Sequence, residues 1–164
     1  MGVAGSGKST VAMLYAKTHG FAYIEADDFH PPENVAKMKS GQPLTDADRA
    51  GWLSAIAKRI AEGKARGEMM VITCSALKRS YRDALRQGDA NLFFVLLDGS
   101  VALLTQRIAA RKDHFMPPSL LASQLAILER PTPPSEKAVT LPITLPPPQI
   151  ADIMRVFFEQ HWKG

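Results

Sequence analysis

The sequence predicts a single α/β domain with a parallel sheet flanked by helices, and three observations lead to this prediction. Short apolar runs alternate with segments of helical periodicity, which is typical of β/α units around a parallel sheet. A glycine-rich loop of the kind that binds phosphate begins at Gly2 and leads straight into a helical pattern. The 164 residues, 46% hydrophobic and 22% charged, are enough for one compact unit, so we expect residues 1–164 to form one domain.

The expected helices and strands are separated by short connections. The first helix spans 8–18 and ends before Gly20, because glycine suits a helix C-terminus. Thr45 or Asp46 is expected to cap a helix that runs to about residue 64. The other expected elements are strands at 21–25, 69–74, 92–97 and 139–145, and helices at 78–86, 100–111, 118–129 and 148–162.

Two strands of the expected sheet are irregular. Pro142 interrupts the strand at 139–145, so that strand is expected to be short or to lie at an edge of the sheet. A phosphate-binding loop normally connects a strand to a helix, and in this sequence only Met1 precedes the loop. We therefore expect either that the numbered sequence starts late or that the first strand of the sheet is truncated.

Composition and hydropathy exclude several classes of protein. The longest apolar runs, such as residues 92–97, are far shorter than the roughly 20 residues needed to cross a bilayer, and no signal-peptide pattern opens the sequence. Cys74 is the only cysteine, which excludes an internal disulfide and a cysteine-based zinc cluster. We expect a cytoplasmic protein that does not associate with membranes.

The positive charge of the sequence is concentrated in one stretch. The net charge is +4, and residues 51–90 hold eight Lys or Arg against four Asp or Glu. A local basic excess is compatible with a small anionic ligand about as well as with nucleic acid. Because no basic tract is interleaved with aromatic residues, as it is in single-strand binders, nucleic acid is not the expected partner.

Residues 2–9 fit the motif G-x-x-x-x-G-K-[ST] completely. Its glycines let successive backbone N–H groups turn inward and form a nest for phosphate at the positive end of the next helix. Lys8 is expected to bridge β- and γ-phosphate oxygens, and the Ser9 hydroxyl to ligate Mg²⁺. The sequence therefore predicts ATP and Mg²⁺ as ligands. The residues expected to bind the nucleotide here are Gly2, Gly5, Ser6, Gly7, Lys8, Ser9 and Thr10.

An acidic cluster follows the second expected strand, where the chain reads EADDFHP from Glu25 to Pro31. The carboxyl ends of strands line the ligand crevice of an α/β sheet, so this cluster is expected at the acceptor side. Alternation along a strand puts Glu25 and Asp27 on one side, where one carboxylate reaches the metal through water and the other the acceptor hydroxyl. The alternative is an acidic loop that only caps the next helix. His30 either binds substrate or shapes the turn before Pro31.

Three longer segments carry a family resemblance. They are HPPENVAKM at 30–38 continuing as GQPLTDADRAGWL at 41–53, CSALKRSYRDALR at 74–86, and Arg107 followed by RKDHF at 111–115. Together with the phosphate loop they resemble bacterial gluconate kinases of the small P-loop type, over nearly the whole chain from Gly2 into the last strand. The resemblance implies a P-loop kinase fold like that of nucleoside-monophosphate kinases, phosphorylation of the 6-hydroxyl of D-gluconate by ATP and Mg²⁺, and a homodimer.

Gluconate carries a carboxylate at one end and a primary hydroxyl at the other, and basic residues are expected to hold it. Arg49, just inside a helix start, can form a bidentate pair with a carboxylate or hold a hydroxyl; alternatively it is a solvated arginine paired with Asp46 or Asp48. Lys78 and Arg82 are four residues apart, which places them on one helix face. We expect both of them to lie at the crevice and to bind gluconate.

The segment around Arg107 and Arg111 resembles the lid of such kinases, which we expect at about 108–120. Arg107 is expected to stack on the adenine, and Arg111 to close on the β- and γ-phosphates and stabilise the charge in transfer. A helix C-terminus also favours cations through its dipole alone. The proline-rich stretch 131–148 is individual to this chain and leaves its contacts on the adenine side open.

The resulting hypothesis is an enzyme that transfers a phosphoryl group in line to D-gluconate. Lys8 and Arg111 would stabilise charge, and Asp27 would orient or deprotonate the acceptor hydroxyl. Asp98 ends an apolar run in the manner of a metal-binding aspartate but is assigned a structural role, because the strand expected beside the loop is 69–74. The alternatives are another small-molecule kinase, such as a shikimate kinase, and a nucleotide-binding regulator that hydrolyses ATP slowly.

Overall fold

The computed structural model of the chain describes residues 1–110 and 118–161. Its strands are β1 (Ala22–Glu25), β2 (Met70–Thr73), β3 (Phe94–Asp98) and β4 (Ala138–Pro142). Its helices are α1 (Lys8–His19), α2 (Pro32–Lys39), α3 (Asp46–Ala65), α4 (Arg79–Arg86), α5 (Val101–Ala109), α6 (Pro118–Ala126) and α7 (Pro147–His161). The predicted α/β class is confirmed, and every predicted helix and strand is present.

Two elements between β1 and α3 are additional to those predicted. A 3₁₀ turn spans Ala26–Phe29, and α2 begins at Pro32, directly after Pro31. Proline suits the first turn of a helix because its missing N–H has no intrahelical partner there and its φ is already helical. The pair of prolines that suggested only a turn therefore also starts a helix.

The strands pair in two parallel ladders. In the first, β1 lies beside β2 with Ala22 opposite Met70 and Glu25 opposite Thr73. In the second, β3 lies beside β4, which ends at Pro142 and has no partner on its other side within the described ranges. This confirms the expectation that the strand containing Pro142 is short and at an edge.

Met1 and Gly2 connect the two ladders. The Met1 amine donates to the Val95 carbonyl at 2.5 Å, and the Met1 carbonyl accepts from the Leu97 N–H at 3.0 Å. On the other side, the Gly2 N–H donates to the Ser75 carbonyl at 3.2 Å. The two residues that lead into the phosphate loop thus lie between β3 and the end of β2, and an apolar cavity of about 290 Å³ extends from Met1 between these strands.

Helix α3 is fixed at its start and along one face. Thr45 and Asp48 form a capping box, in which the Thr45 hydroxyl accepts from the Asp48 N–H at 3.2 Å and the Asp48 carboxylate accepts from the Thr45 N–H at 2.7 Å. This confirms Thr45 as the cap. The buried face carries Trp52, Ile56 and Ile60, at most 2% exposed, and each such side chain contributes roughly 1.5–3 kcal/mol by leaving water.

Two apolar clusters position the candidate site. The first packs α3 and α4 around Trp52, Ile56 and Leu85. The second packs the later helices around Leu97 and Leu104 and includes Val3 of the phosphate loop, together with residues of β4 and α7. The phosphate loop is therefore anchored in the second cluster, whereas α3 and α4 pack around the first. Over the described ranges, no helix combines the length and the apolar character needed to cross a membrane.

Candidate active site

The phosphate loop is shaped by two glycines in the left-handed region, Gly5 at φ +79° and Gly7 at φ +88°. A Cβ on Gly5 would lie 2.9 Å from Cγ1 of Ile108, so the backbone can approach helix α5 only without a side chain. Gly7 is the N-cap of α1, and the loop N–H groups lie at the positive end of that helix. The hydroxyl of Ser6 is buried and, among the residues that the structure describes, has no hydrogen-bond partner. The loop has the form that a phosphate requires.

The side chains of Lys8 and Ser9 leave the loop in different directions. The Lys8 ammonium donates to the Val3 carbonyl at 3.1 Å and so folds back over the loop. The Ser9 hydroxyl donates to Oε2 of Glu25 at 2.8 Å. This bond ties the phosphate loop directly to the carboxyl end of β1.

Glu25 is the centre of a hydroxyl cluster. Besides Ser9, its carboxylate accepts from the Tyr23 hydroxyl at 2.6 Å and from the Thr73 hydroxyl. Burial acts to raise the pKa of Glu25, but the donors Thr73, Tyr23 and Ser9, aided by the charge of Lys8, hold it below its ordinary value. Glu25 is thus an ionised carboxylate next to the predicted metal-binding hydroxyl. The sequence pattern predicted that one of Glu25 and Asp27 reaches the metal through water and the other the acceptor hydroxyl.

Simple alternation predicted that Glu25 and Asp27 lie on one strand, and this prediction is wrong. β1 ends at Glu25, and Asp27 belongs to the 3₁₀ turn that follows. The Asp27 side chain is 72% exposed, and its carboxylate lies 3.9 Å from Nε2 of His30. The turn is held from below because the buried Trp52 donates its indole N–H to the Ala26 carbonyl at 2.7 Å. Asp27 is therefore an accessible carboxylate on a fixed turn.

His30 is packed rather than exposed. Its side chain is 4% exposed and its ring stacks on Trp52, with centroids 4.3 Å apart. Burial, with a smaller contribution from the charge of Arg49, lowers the pKa of His30 to about 4. The imidazole is accordingly neutral near pH 7, where it can donate or accept a hydrogen bond but carries no charge.

Arg49 and Lys78 both lie close to the ring of Tyr81, a residue that the sequence pattern did not single out. The Arg49 guanidinium lies 5.5 Å from the centroid of the Tyr81 ring, and the Lys78 ammonium lies 5.6 Å from it. Lys78 donates to both carboxylate oxygens of Asp46, at 2.8 and 2.7 Å, and the Tyr81 hydroxyl donates to the same carboxylate. The hydrogen bonds from Lys78 and Tyr81 lower the pKa of Asp46. The alternative pairing of Arg49 with Asp46 is thus replaced by a pair between Asp46 and Lys78.

Arg82, expected at the crevice, lies in the interior. It is 0% exposed, and its guanidinium donates to the Glu136 carboxylate at 2.6 and 2.8 Å and to the Glu129 carbonyl at 2.9 Å. This ion pair lowers the pKa of Glu136 to about 2. The two basic residues do not share a helix face, because Lys78 is the extended N-cap of α4 and the helix begins at Arg79. Arg82 joins α4 to the segment before β4 and is not brought to the site.

Arg107 lies over the phosphate loop. Its Nη1 is 3.7 Å from the position that a Cβ on Gly7 would occupy, and its Nη2 donates to the Ile143 carbonyl at 2.7 Å. Helix α5 ends at Ala109. Arg111 and most of the expected lid lie outside the described residues.

Asp98 and Cys74 have structural surroundings. Asp98 accepts from Arg130 at 3.0 Å, in agreement with its assignment to a structural role. Burial raises the pKa of the Cys74 thiol to about 12, which keeps it protonated. In the portions of the chain that the structure describes, no group of three or more His, Cys, Asp or Glu forms a metal cluster.

Known proteins resemble the chain over most of its length. A family model described as an AAA domain matches residues 1–131. The gluconokinase of Gluconobacter oxydans is 53% identical over 131 residues, covering 80% of this chain and 74% of that protein. A probable gluconokinase of Schizosaccharomyces pombe is 44% identical over 151 residues, covering 87% and 77%.

Solved structures resemble the chain over nearly its whole length. An unliganded sugar kinase from Janibacter superposes with a TM-score of 0.92 at 45% identity, covering 97% of this chain and 91% of that one. A gluconokinase from Sinorhizobium meliloti superposes with a TM-score of 0.87 at 45% identity, covering 98% and 89%. An APS kinase of Mycobacterium tuberculosis, at 21% identity with a TM-score of 0.72 over 97% of this chain and 94% of that one, shares the fold.

The position of Arg82 leads to a stability prediction. We expect Arg82→Met to lower the free energy of unfolding by about 3–5 kcal/mol, because it removes the nearest cationic partner of the buried Glu136 carboxylate and leaves Arg86 at 3.5 Å. The double variant Arg82→Met/Glu136→Leu should recover much of this loss, and Arg79→Met, at an exposed position of the same helix, should change little. Urea unfolding measures all three. Wild-type stability in Arg82→Met would contradict the interior role.

The packing of His30 leads to a prediction about pH. The folded-state pKa, about 4, lies below the value of 6.5 expected when unfolded, so between these values the unfolded chain binds a proton that the folded chain does not. Stability should therefore fall as the pH is lowered from about 6.5 to 4, by at most about 3 kcal/mol from this group. In His30→Phe, which keeps a ring beside Trp52, urea unfolding at pH 7 and pH 4.5 should show a smaller difference than in the wild type. An unchanged difference would show that His30 is not the group responsible.

Proposed function

This chain belongs to the gluconokinase family, and on that premise we propose that it transfers the γ-phosphoryl group of ATP to the 6-hydroxyl of D-gluconate. The observation that carries the proposal is the hydrogen bond between Ser9 and Glu25. It joins the phosphate loop to the strand that leads into the acidic turn containing Asp27. A phosphate-binding loop and an acceptor crevice therefore meet at the carboxyl end of β1, which is where ligands bind in α/β sheets.

The loop residues fit a nucleotide with its metal. Gly5 lets the loop lie against α5, Gly7 leaves room beside Arg107, and the buried hydroxyl of Ser6 has no hydrogen-bond partner in the described ranges. The P-loop kinase family implies ATP binding, and we propose Mg²⁺ as the metal, with Ser9 as its ligand. When bound, Mg²⁺ neutralises charge on the phosphates. Lys8 would contribute a fixed positive charge beside them.

Arg49 and Lys78 are the proposed holders of the gluconate carboxylate. Both lie within 5.6 Å of the centroid of the Tyr81 ring, and both side chains are partly exposed. The Asp46 carboxylate that Lys78 now contacts is itself exposed, so a substrate carboxylate can exchange with it at little cost. Arg82 is left out of this substrate site because its guanidinium is fully engaged in the interior.

Asp27 is proposed to orient the 6-hydroxyl or to take its proton, since a carboxylate at hydrogen-bond distance from the acceptor suits either role. His30 lies beside it as a neutral ring and is proposed to contribute a hydrogen bond to substrate. Arg107, over the phosphate loop, is proposed to contact the adenine, and Arg111 with the rest of the lid at about 108–120 to close on the phosphates. Closure would exclude water, which is a competing acceptor.

We also propose that the enzyme is a cytoplasmic homodimer without nucleic-acid or membrane partners, as the family relationship suggests. A shikimate kinase is not favoured, because the relatives named above are gluconokinases at 44–53% identity. The glycine-rich acceptor turn expected of a shikimate kinase is replaced here by CSALK at 74–78. A nucleotide-dependent regulator has no feature in its favour in the described structure.

The function is tested by coupled measurement of ADP release with D-gluconate, related sugar acids and shikimate. We expect gluconate-dependent release in the wild type, and a fall in kcat of about 10²- to 10⁴-fold in Asp27→Asn, because the acceptor proton loses its carboxylate. ATP affinity should be unchanged. The neighbouring exposed Asp28→Asn is the matched control and should keep its activity. Gluconate-independent ADP release would contradict the proposed function, and an active Asp27→Asn variant would remove Asp27 from it.

Lys78 provides a separate prediction for substrate binding. We expect Lys78→Met to raise the KM for gluconate about 10-fold or more, because one charge-assisted contact with the carboxylate is lost. The KM for ATP should stay the same. Arg79→Met, one residue further and exposed, serves as the control in the same steady-state assay. A change confined to the KM for ATP would move Lys78 to the nucleotide side.

A further inference from the structure

We propose that Glu129 is a positioning residue for gluconate: it caps helix α4 from outside the helix and so fixes Lys78, which holds the substrate carboxylate in the proposed function. The inference rests on that proposed function, and it adds a residue outside the set predicted from the sequence. Glu129 lies 50 residues after Arg79 along the chain, so only the folded structure brings it to the start of this helix.

Helix α4 begins without a cap from its own segment. Lys78 is its N-cap, with extended backbone angles of φ −91° and ψ 153°, and the Lys78 side chain makes no capping hydrogen bond. An ammonium group can only donate hydrogen bonds, whereas the first N–H groups of a helix need an acceptor. The Glu129 carboxylate supplies one, because its Oε2 accepts from the Arg79 N–H at 2.6 Å. A carboxylate in this place is also favoured by the helix dipole.

The backbone of Glu129 holds the chain on the other side of Lys78. The Glu129 N–H donates to the Leu77 carbonyl at 2.9 Å, and the Glu129 carbonyl accepts from the Arg82 guanidinium at 2.9 Å. Leu77 is 1% exposed and packs in the second apolar cluster. Contacts with Glu129 therefore fix the backbone both before and after Lys78, and they set the point from which its side chain extends.

The segment that carries Glu129 is itself anchored on the nucleotide side. Glu129 follows α6, whose Leu121 is 4% exposed and packs in the same cluster as Val3 of the phosphate loop. The side-chain carbonyl of Gln124 in α6 accepts from the Ala4 N–H of that loop at 2.7 Å. One short segment thus contacts the phosphate loop through Gln124 and the start of α4 through Glu129. It thereby sets the position of the start of α4 relative to the phosphate loop.

Steady-state kinetics of matched variants test the inference. Glu129→Met keeps the length of the side chain but loses the oxygen acceptor, and we expect it to raise the KM for gluconate about 3- to 10-fold, the size of effect that loss of a helix cap allows. The KM for ATP and kcat should stay close to wild type. Glu129→Gln keeps an oxygen that can cap the helix, so its KM for gluconate should remain near the wild-type value. Asp83→Met removes an exposed acid from the same helix and is the control that should match the wild type.

A double variant tests whether Glu129 acts through Lys78. Adding Glu129→Met to Lys78→Met should leave the KM for gluconate at the value of Lys78→Met alone, because the contact that Glu129 positions is already lost. A further rise by the same factor as in the wild-type background would overturn the inference. If Lys78→Met itself leaves the KM unchanged, both the proposed role of Lys78 and the inference fall.

The remaining outcomes separate the inference from the function on which it rests. A wild-type KM for gluconate in folded Glu129→Met would overturn the inference. A loss confined to kcat would do so too, because a residue that only supports the fold lowers the active fraction of the enzyme and leaves KM unchanged. If Glu129→Met does not fold by circular dichroism, Glu129→Ala in the same assays decides between these results. A wild type that shows no gluconate-dependent ADP release would instead overturn the proposed function.

Discussion

The parallel pairing of β1 with β2 is the constraint on which the rest of the site depends. It brings Glu25 opposite Thr73. The Ser9 hydroxyl, in the first turn of α1, donates to the Glu25 carboxylate and so holds that turn against the sheet. Both strands end at the same edge of the sheet. The acidic turn follows β1 there, and the segment that follows β2 carries the Ser75 carbonyl, which accepts from the Gly2 N–H. The phosphate loop and the acidic turn are adjacent because both lie at this edge.

The basic residues in the middle of the sequence lie partly in the interior and partly near the surface. Arg82 compensates the buried Glu136, while Lys64 and Arg59 are paired with Asp89 and Glu68 near the surface. Several of the local positive charges are therefore neutralised in separate ion pairs, while Arg49 and Lys78 lie together near Tyr81. This distribution is compatible with the proposed binding of a small anion.

Much of the fold could be predicted from local pattern, because helical periodicity and apolar runs depend on neighbours in sequence. The phosphate loop was predictable for the same reason, since its spacing alone encodes the nest. The place of Arg82 was not, because its partner Glu136 is 54 residues away and four-residue spacing cannot say that the helix starts only at Arg79. The contact between Glu25 and Thr73 likewise depends on the register of β1 and β2, and the 3₁₀ turn that contains Asp27 and breaks the alternation has no apolar pattern of its own.

The fluorescence of Trp52 is sensitive to the position of the 3₁₀ turn that carries Asp27. The indole is 1% exposed, donates to the Ala26 carbonyl and stacks on His30, so its surroundings are made by the same turn that carries Asp27. A buried indole emits at shorter wavelength than one in water, and its emission changes when a stacked ring or a hydrogen-bond acceptor moves. Movement of this turn would therefore change the intrinsic fluorescence of Trp52.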